Sequence, residues 1–224
     1  MSTILCLETA TTNCSVALSE NGSVIALLED SSGGYSHGEK LHVYIEQVCK
    51  QANISFDQLD AIAVSKGPGS YTGLRIGVSA AKGLCFSLDI PLISIPTLDS
   101  LAHKINHSGG TIIPMLDARR MAVYSAVYDQ EKDQIRDTRA EVLSETSYDE
   151  YLEKGRVYFV GNGVEKFQAI CSHPNASFVP DELPSANEMG ALAEAKFQNK
   201  AFEDVAYFEP FYLKDFIVGS RPKS

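Results

Sequence analysis

Five glycines fall within residues 66–83, "KGPGSYTGLRIGVSAAKG", a density that elsewhere marks a loop closing on phosphate. The spacing does not deliver such a loop. Gly67-Pro68-Gly69 opens like G-x-G-x-x-G, but Thr72 occupies the place of the last glycine. Gly69 and Gly73 are wrongly spaced for a P-loop, and Leu74 stands where that motif needs lysine. Pro68 also removes an amide donor. What the segment does offer is steric. Gly73, Gly77 and Ala81 recur every fourth residue, with Ser70 and Ala80 close to the same helical face. Such a stripe lets another backbone come very near. Its neighbour is either the chain's own sheet or a second subunit, and spacing alone favours the first.

Other reactive side chains are scattered. His103 and His107 form H-x-x-x-H, but Lys104 follows the first histidine where a zincin has glutamate. Ser70 follows a glycine without completing G-x-S-x-G. Two tight turns carry a carboxylate each. In "LETATTNC" Glu8 and Thr9 precede Ala10, where close backbone approach to phosphate would favour glycine. In "LDARRM" Asp117 precedes Arg119 and Arg120, a pair that reads as a phosphate contact or as solvated charge. Glu8, Thr9, Arg119 and Arg120 are therefore the candidate phosphate or nucleotide residues. The five cysteines form no C-x-x-C pair and read as buried thiols of a reducing compartment.

The elements that hold these residues can be read in order. "TILCLETA" predicts a strand, and Asn21-Gly22 between two apolar runs predicts a hairpin. "SHGE" is a capping box that starts a helix at Ser36, with Leu41, Ile45, Val48 and Ala52 on one face. "DAIAVSKG" reads as a buried strand, the glycine-rich segment as a loop and then a helix to about Ser87. "PLISIP" is a strand, and "TLDSLAHKI" a helix capped by Thr97. After the turn formers "NHSGG" a similar order begins again: three strands, a helix from Ser144, the strand "RVYFVGNG", a weak helix over 164–171, the strand "SFVP" and the helix "SANEMGALAEAKFQ". The expected architecture is α/β, two lobes each with a mixed sheet and flanking helices, split at 1–106 and 107–224. That order describes the actin-like ATPase (ribonuclease-H-like, ASKHA) fold, which does not fix a function.

Bulk properties narrow the partners. The net charge of −10 makes the chain a poor ligand for nucleic acid by itself. No apolar run is long enough to span a bilayer, and the N-terminus lacks a basic leader, so a cytoplasmic protein with no membrane contact is expected.

The glycine-rich segment resembles the signature of the TsaB (YeaZ) family, non-catalytic relatives of TsaD within the glycoprotease (peptidase M22-like) family. "LETATTNCSVAL", "SHGEKLH", "MLDARRMAVYSAVY" and "EPFYLKDF" fit as well, so the resemblance runs nearly end to end. It implies an accessory role in making threonylcarbamoyladenosine in tRNA. The transfer itself would fall to a metal-bearing TsaD-like transferase, joined by a TsaE-like ATPase, and tRNA would be reached only through the complex. Homodimers through helices of the first lobe are also implied. The resemblance raises the second-subunit reading of the small stripe. The expected partner interface is Ser36, His37 and Leu41 on the first helix with Ser70, Thr72, Gly73, Arg75, Gly77 and Ala81. Positions matching the transferase's metal ligands hold Thr97, Leu101 and Ser185, so no metal and no catalytic residue is expected. No cofactor is expected either, although a nucleotide at a subunit junction stays open. The competing reading is an enzyme in its own right, a metallopeptidase or an ATP-dependent phosphotransferase.

Overall fold

In a computed structural model of the chain, residues 1–32, 37–106 and 109–213 are described. The first half contains β1 (Thr3–Glu8), β2 (Cys14–Glu20), β3 (Ser23–Asp30), α1 (His37–Ala52), β4 (Ala61–Gly67), α2 (Tyr71–Leu88), β5 (Leu92–Pro96) and α3 (Thr97–His103). The second repeats the series with β6 (Thr111–Asp117), β7 (Ala122–Tyr128), β8 (Gln134–Val142), α4 (Asp149–Leu152), β9 (Val157–Gly161), α5 (Val164–Gln168), β10 (Ala176–Pro180) and α6 (Ala186–Gln198).

Each half builds a five-stranded mixed sheet, ordered β3-β2-β1-β4-β5 and β8-β7-β6-β9-β10. The first three strands of each pair antiparallel, and the fourth and fifth join parallel through helical crossovers. The duplicated order is that of the two-lobed actin-like fold. The central strand β1 is buried along its whole length, whereas the edge strand β3 alternates between core and solvent. The first hairpin turns on Asn21 and Gly22, both at positive φ (47° and 81°), as its twist requires.

The halves exchange helices. Helices α1 and α2 cover one face of the first sheet. Its other face packs against α6, through Ala186, Met189 and Ala193 on Ile4, Cys6, Ala63 and Ile93. Conversely α3, from the first half, sets Leu98, Leu101 and Ala102 against Ile112, Leu116 and Val160 of the second sheet. The opposite face of that sheet is closed by Phe159, Phe167 and Tyr148 in edge-to-face contact. Beyond α6 the chain returns to the first lobe. The Glu203 amide donates to the Leu92 carbonyl (2.9 Å) and the Phe211 amide to the Lys66 carbonyl (2.7 Å).

Two local expectations differ from the structure. The Thr97 hydroxyl does not cap α3; Pro96 holds that position, and Thr97 Oγ1 pairs with Ser65 Oγ (2.7 Å) and accepts the Gly67 amide (3.1 Å). Helix α4 starts at Asp149, not Ser144, because Tyr148 lies in the left-handed region (φ 68°) and Ser144 closes a separate turn with Ser147. Ser36 and its capping box lie outside the described residues.

Candidate functional site

The glycine-rich segment converts a buried strand into a helix over a very short distance. Ser70 accepts the Gly73 amide (3.3 Å) and so caps α2, whose eighteen residues then run to Leu88. Beneath its first turns lies the β1–β2 turn, residues 9–13. A Cβ at Gly69 would stand 2.4 Å from the Ala10 carbonyl oxygen, one at Gly73 2.1 Å from that of Thr9, and one at Gly77 2.2 Å from Thr9 Oγ1. The stripe is thus filled by the chain's own turn, not by a second subunit. The close approach is made between two pieces of this chain: Gly69, just before the helix, permits it opposite Ala10, and Gly73 and Gly77, on the helix, permit it opposite Thr9.

This turn is bonded on every side. Glu8 Oε1 accepts the Ala10 amide (2.6 Å), the Ala10 carbonyl accepts the Ser70 amide (2.6 Å), and Thr9 Oγ1 donates to the Gly73 carbonyl (2.8 Å). From α1, His37 Nε2 donates to the Thr11 carbonyl (2.7 Å). His37 is 1% exposed, packed onto the chain's own turn and not presented outward as the expected partner interface would need. Burial pushes its pKa below the ordinary histidine value. Glu8 is 0% exposed, and burial pushes its carboxyl up to about 7 against the pull of the Ala10 amide.

The outward side of α2 is different. Thr72 and Arg75 are exposed, while Leu41, Gly73, Gly77 and Ala81 are buried inside the lobe. Between α1 and α2 runs an open groove of about 690 Å³, lined by His42, Thr72, Ile76, Ser79, Gly83 and Leu84 among others. A Cβ at Gly83 would meet nothing within 4 Å. Val43 (47%) and Phe86 (86%) add exposed apolar surface on the same two helices. At the rim Arg75 lies 4.0 Å above the Tyr71 ring and donates toward the Tyr212 hydroxyl (3.4 Å). Tyr212 itself packs on Tyr71, ring centroids 4.9 Å apart, and Lys82 binds the carbonyls of Ala206 and Phe208 (3.1 and 3.0 Å). Residues 203–213 are therefore strapped along α2. Nothing local in the sequence announces this strap; Tyr207, Phe211 and Tyr212 are its one compositional sign.

The remaining predicted residues lie elsewhere. Arg119 and Arg120 form the exposed β6–β7 turn at positive φ (69° and 51°). There the Arg119 amide and Lys166 Nζ both donate to Asp117 Oδ1 (2.5 and 2.8 Å). Burial opposes ionisation of Asp117, but these donors outweigh it and hold its carboxyl below the usual range. Glu8 and Thr9 are buried on the first sheet, so the two candidate pairs occupy equivalent turns of separate lobes. His103 Nδ1 engages Asp99 (2.9 Å to its carbonyl oxygen, 3.3 Å to Oδ1), and His107 lies outside the described residues.

The positions matched to metal ligands do not fit a metal. Thr97 is held by Ser65 and Gly67, and Leu101 is fully buried in the second core. Ser185 caps α6 through the Asn187 amide (3.1 Å) and donates to Glu29 Oε2 (2.7 Å) beside Ser15. Among the described residues no three His, Cys, Asp or Glu side chains converge, and no helix is long and apolar enough to cross a membrane.

The family model of TsaD, tRNA N6-adenosine threonylcarbamoyltransferase, matches residues 33–220. The chain is 29% identical to the tRNA threonylcarbamoyladenosine biosynthesis protein TsaB of Haemophilus influenzae, over 98% of this chain and 96% of that one. It is 38% identical to the tRNA N6-adenosine threonylcarbamoyltransferase of Bacillus thuringiensis, over 41% of this chain and 31% of that enzyme. The solved structure of YeaZ from Pseudomonas aeruginosa superposes with a TM-score of 0.82 at 25% identity, covering 95% of this chain and all of that one (100%).

Proposed function

Because the chain belongs to the TsaD family of tRNA N6-adenosine threonylcarbamoyltransferases, with end-to-end likeness to its TsaB/YeaZ members, we propose that it serves threonylcarbamoyladenosine synthesis as an accessory subunit. The observation that carries this reading is the fate of the metal-ligand positions. Leu101 is committed to packing, Thr97 to hydrogen bonds within the first lobe, and Ser185 to a hydrogen bond that joins α6 to Glu29 of the first sheet. A catalytic site there would need three new side chains and the loss of those contacts.

The working surface is then the α1–α2 face. It combines an open groove, exposed Val43 and Phe86, and an arginine fixed between two tyrosines, the composition of a protein-docking core with a polar rim. Its partner is a TsaD-like transferase, with a TsaE-like ATPase joining the pair and a second copy of this chain using the same face in isolation. The net charge of −10 leaves tRNA contact to the partners. The test is tRNA modification by the purified transferase with and without this chain. Stimulation by a chain inactive alone supports the reading. Equal activity without it, or stoichiometric metal and ATP turnover by the isolated chain, overturns it.

A further inference from the structure

The groups that set the docking face lie underneath it. Among the described residues the β1–β2 turn is bonded to the starts of both α1 and α2: the Thr11 carbonyl to His37, the Ala10 carbonyl to Ser70, and the Thr9 hydroxyl to Gly73. The turn in turn hangs on Glu8. Glu8 Oε1 takes the Ala10 amide, while Glu8 Oε2 is buried without a hydrogen-bonded partner. The neighbouring Ser65 hydroxyl, paired with Thr97 (2.7 Å), also leans toward the Glu8 carboxyl and favours its charged form, but does not close a hydrogen bond on Oε2. From carboxyl to helix cap the path is short: Glu8 to the Ala10 amide, then the Ala10 carbonyl to the Ser70 amide. The glycine contacts leave no slack in it, since each would-be Cβ already overlaps the turn.

We infer that Glu8 is a positioning residue for the α1–α2 docking face, and that the proton on its carboxyl sets how firmly the turn holds the start of α2. An uncharged carboxyl fits this buried site. The Ala10 amide and Ser65 favour the ionised form, but burial outweighs them, and a charged Oε2 with no closed hydrogen bond draws water into the turn. The titratable groups around it do not replace it. Glu188 from α6 repels its charge, Cys14 on β2 is held as a thiol by burial (pushed up to about 11), and His37 across the turn is biased toward neutrality. Ser65 and the α2 glycines bring no charge. A carboxyl displaced to about 7 places the transition in the neutral range.

This inference rests on the docking reading of that face, and two measurements separate them. The first is amide hydrogen exchange on the isolated full chain, as protection relative to an unstructured peptide. Ser70 and Gly73 should lose about tenfold in protection between about pH 6 and about pH 8. The Leu143 amide, bonded to Met121 in the other lobe, should not change. Glu8→Gln, permanently neutral, should abolish the inflection. A flat wild-type profile, an unchanged inflection in Glu8→Gln, or a parallel loss at Leu143 overturns the inference; if the variant does not fold, the wild-type profile decides. The second is affinity for the TsaD-family transferase over the same pH range. If exchange shows the transition and affinity does not, Glu8 positions α2 and the docking reading of this face fails.

Discussion

Gly77 faces Thr9 across the sheet–helix boundary so closely that a Cβ would stand 2.2 Å from the threonine hydroxyl. Two turns further on, Gly83 faces open space. The same residue type on one helix thus serves two purposes, and substitutions separate them. Gly77→Ala overpacks a site whose neighbour is backbone-anchored and should cost about 1–3 kcal/mol of folding stability. Gly83→Leu should leave stability within about 0.5 kcal/mol while filling the groove, and should weaken transferase binding by about tenfold or more. Thermal unfolding and a binding titration read the two effects. Equal stability loss in both variants would refute the separation.

The buried Glu8 also makes stability depend on pH. Its folded carboxyl holds a proton up to about 7, above its ordinary value of 4.5. The native state therefore binds the proton more tightly than the unfolded chain. This contribution is complete below pH 4.5 and falls as pH rises through 7, by on the order of 3 kcal/mol. Glu8→Gln should remove the dependence, so its stability relative to wild type should rise across that window and level off above it. Denaturant titrations at several pH values check this, and a constant difference between the two proteins would contradict it.

Much of the fold was legible because its signals are local. Asn21-Gly22 between apolar runs fixed a hairpin, and the unbroken apolar run from Ala61 to Val64 announced a strand buried on both faces. The exchange of α3 and α6 was not legible, since an apolar helical stripe shows that a face is covered and not by which sheet. Thr97 illustrates the same limit: it has the composition of a cap, but a closer partner in Ser65 takes its hydroxyl. At the site, the exclusion of a phosphate loop followed from spacing. The identity of the stripe's neighbour did not, because it lies far off in sequence: Thr9 and Gly73 are 64 residues apart.

Ser185 ties α6 to the first sheet at a position that the family resemblance matches to a metal ligand of the transferase. Its hydroxyl donates to Glu29 Oε2 (2.7 Å) and accepts the Asn187 amide (3.1 Å). Ser185→Ala removes a cap and leaves a partly buried carboxylate short of a donor, so it should cost about 1–2 kcal/mol. Ser185→Asp, which places a carboxylate there, should cost more, because it faces Glu29. Urea unfolding orders the variants. If Ser185→Asp proved as stable as wild type, the position would not be committed to this latch.

The strap over α2 supplies the last test. Residues 203–213 contribute Tyr212 to the rim, where it holds Arg75 against Tyr71, and carbonyl oxygens to Lys82. These contacts are solvent-exposed, so each adds little to folding: Tyr212→Ala should change stability by no more than about 1 kcal/mol. Its effect on docking should be larger, because an arginine released from the stack must be ordered again when a partner binds. About a threefold to tenfold loss of transferase affinity is expected from Tyr212→Ala, with Tyr212→Phe intermediate, since it keeps the ring and loses the hydroxyl. Arg75→Ala should remove most of the difference between the tyrosine variants, as members of one unit do in a double-mutant cycle. Strictly additive losses would show that Tyr212 meets the partner on its own account, not by presenting Arg75.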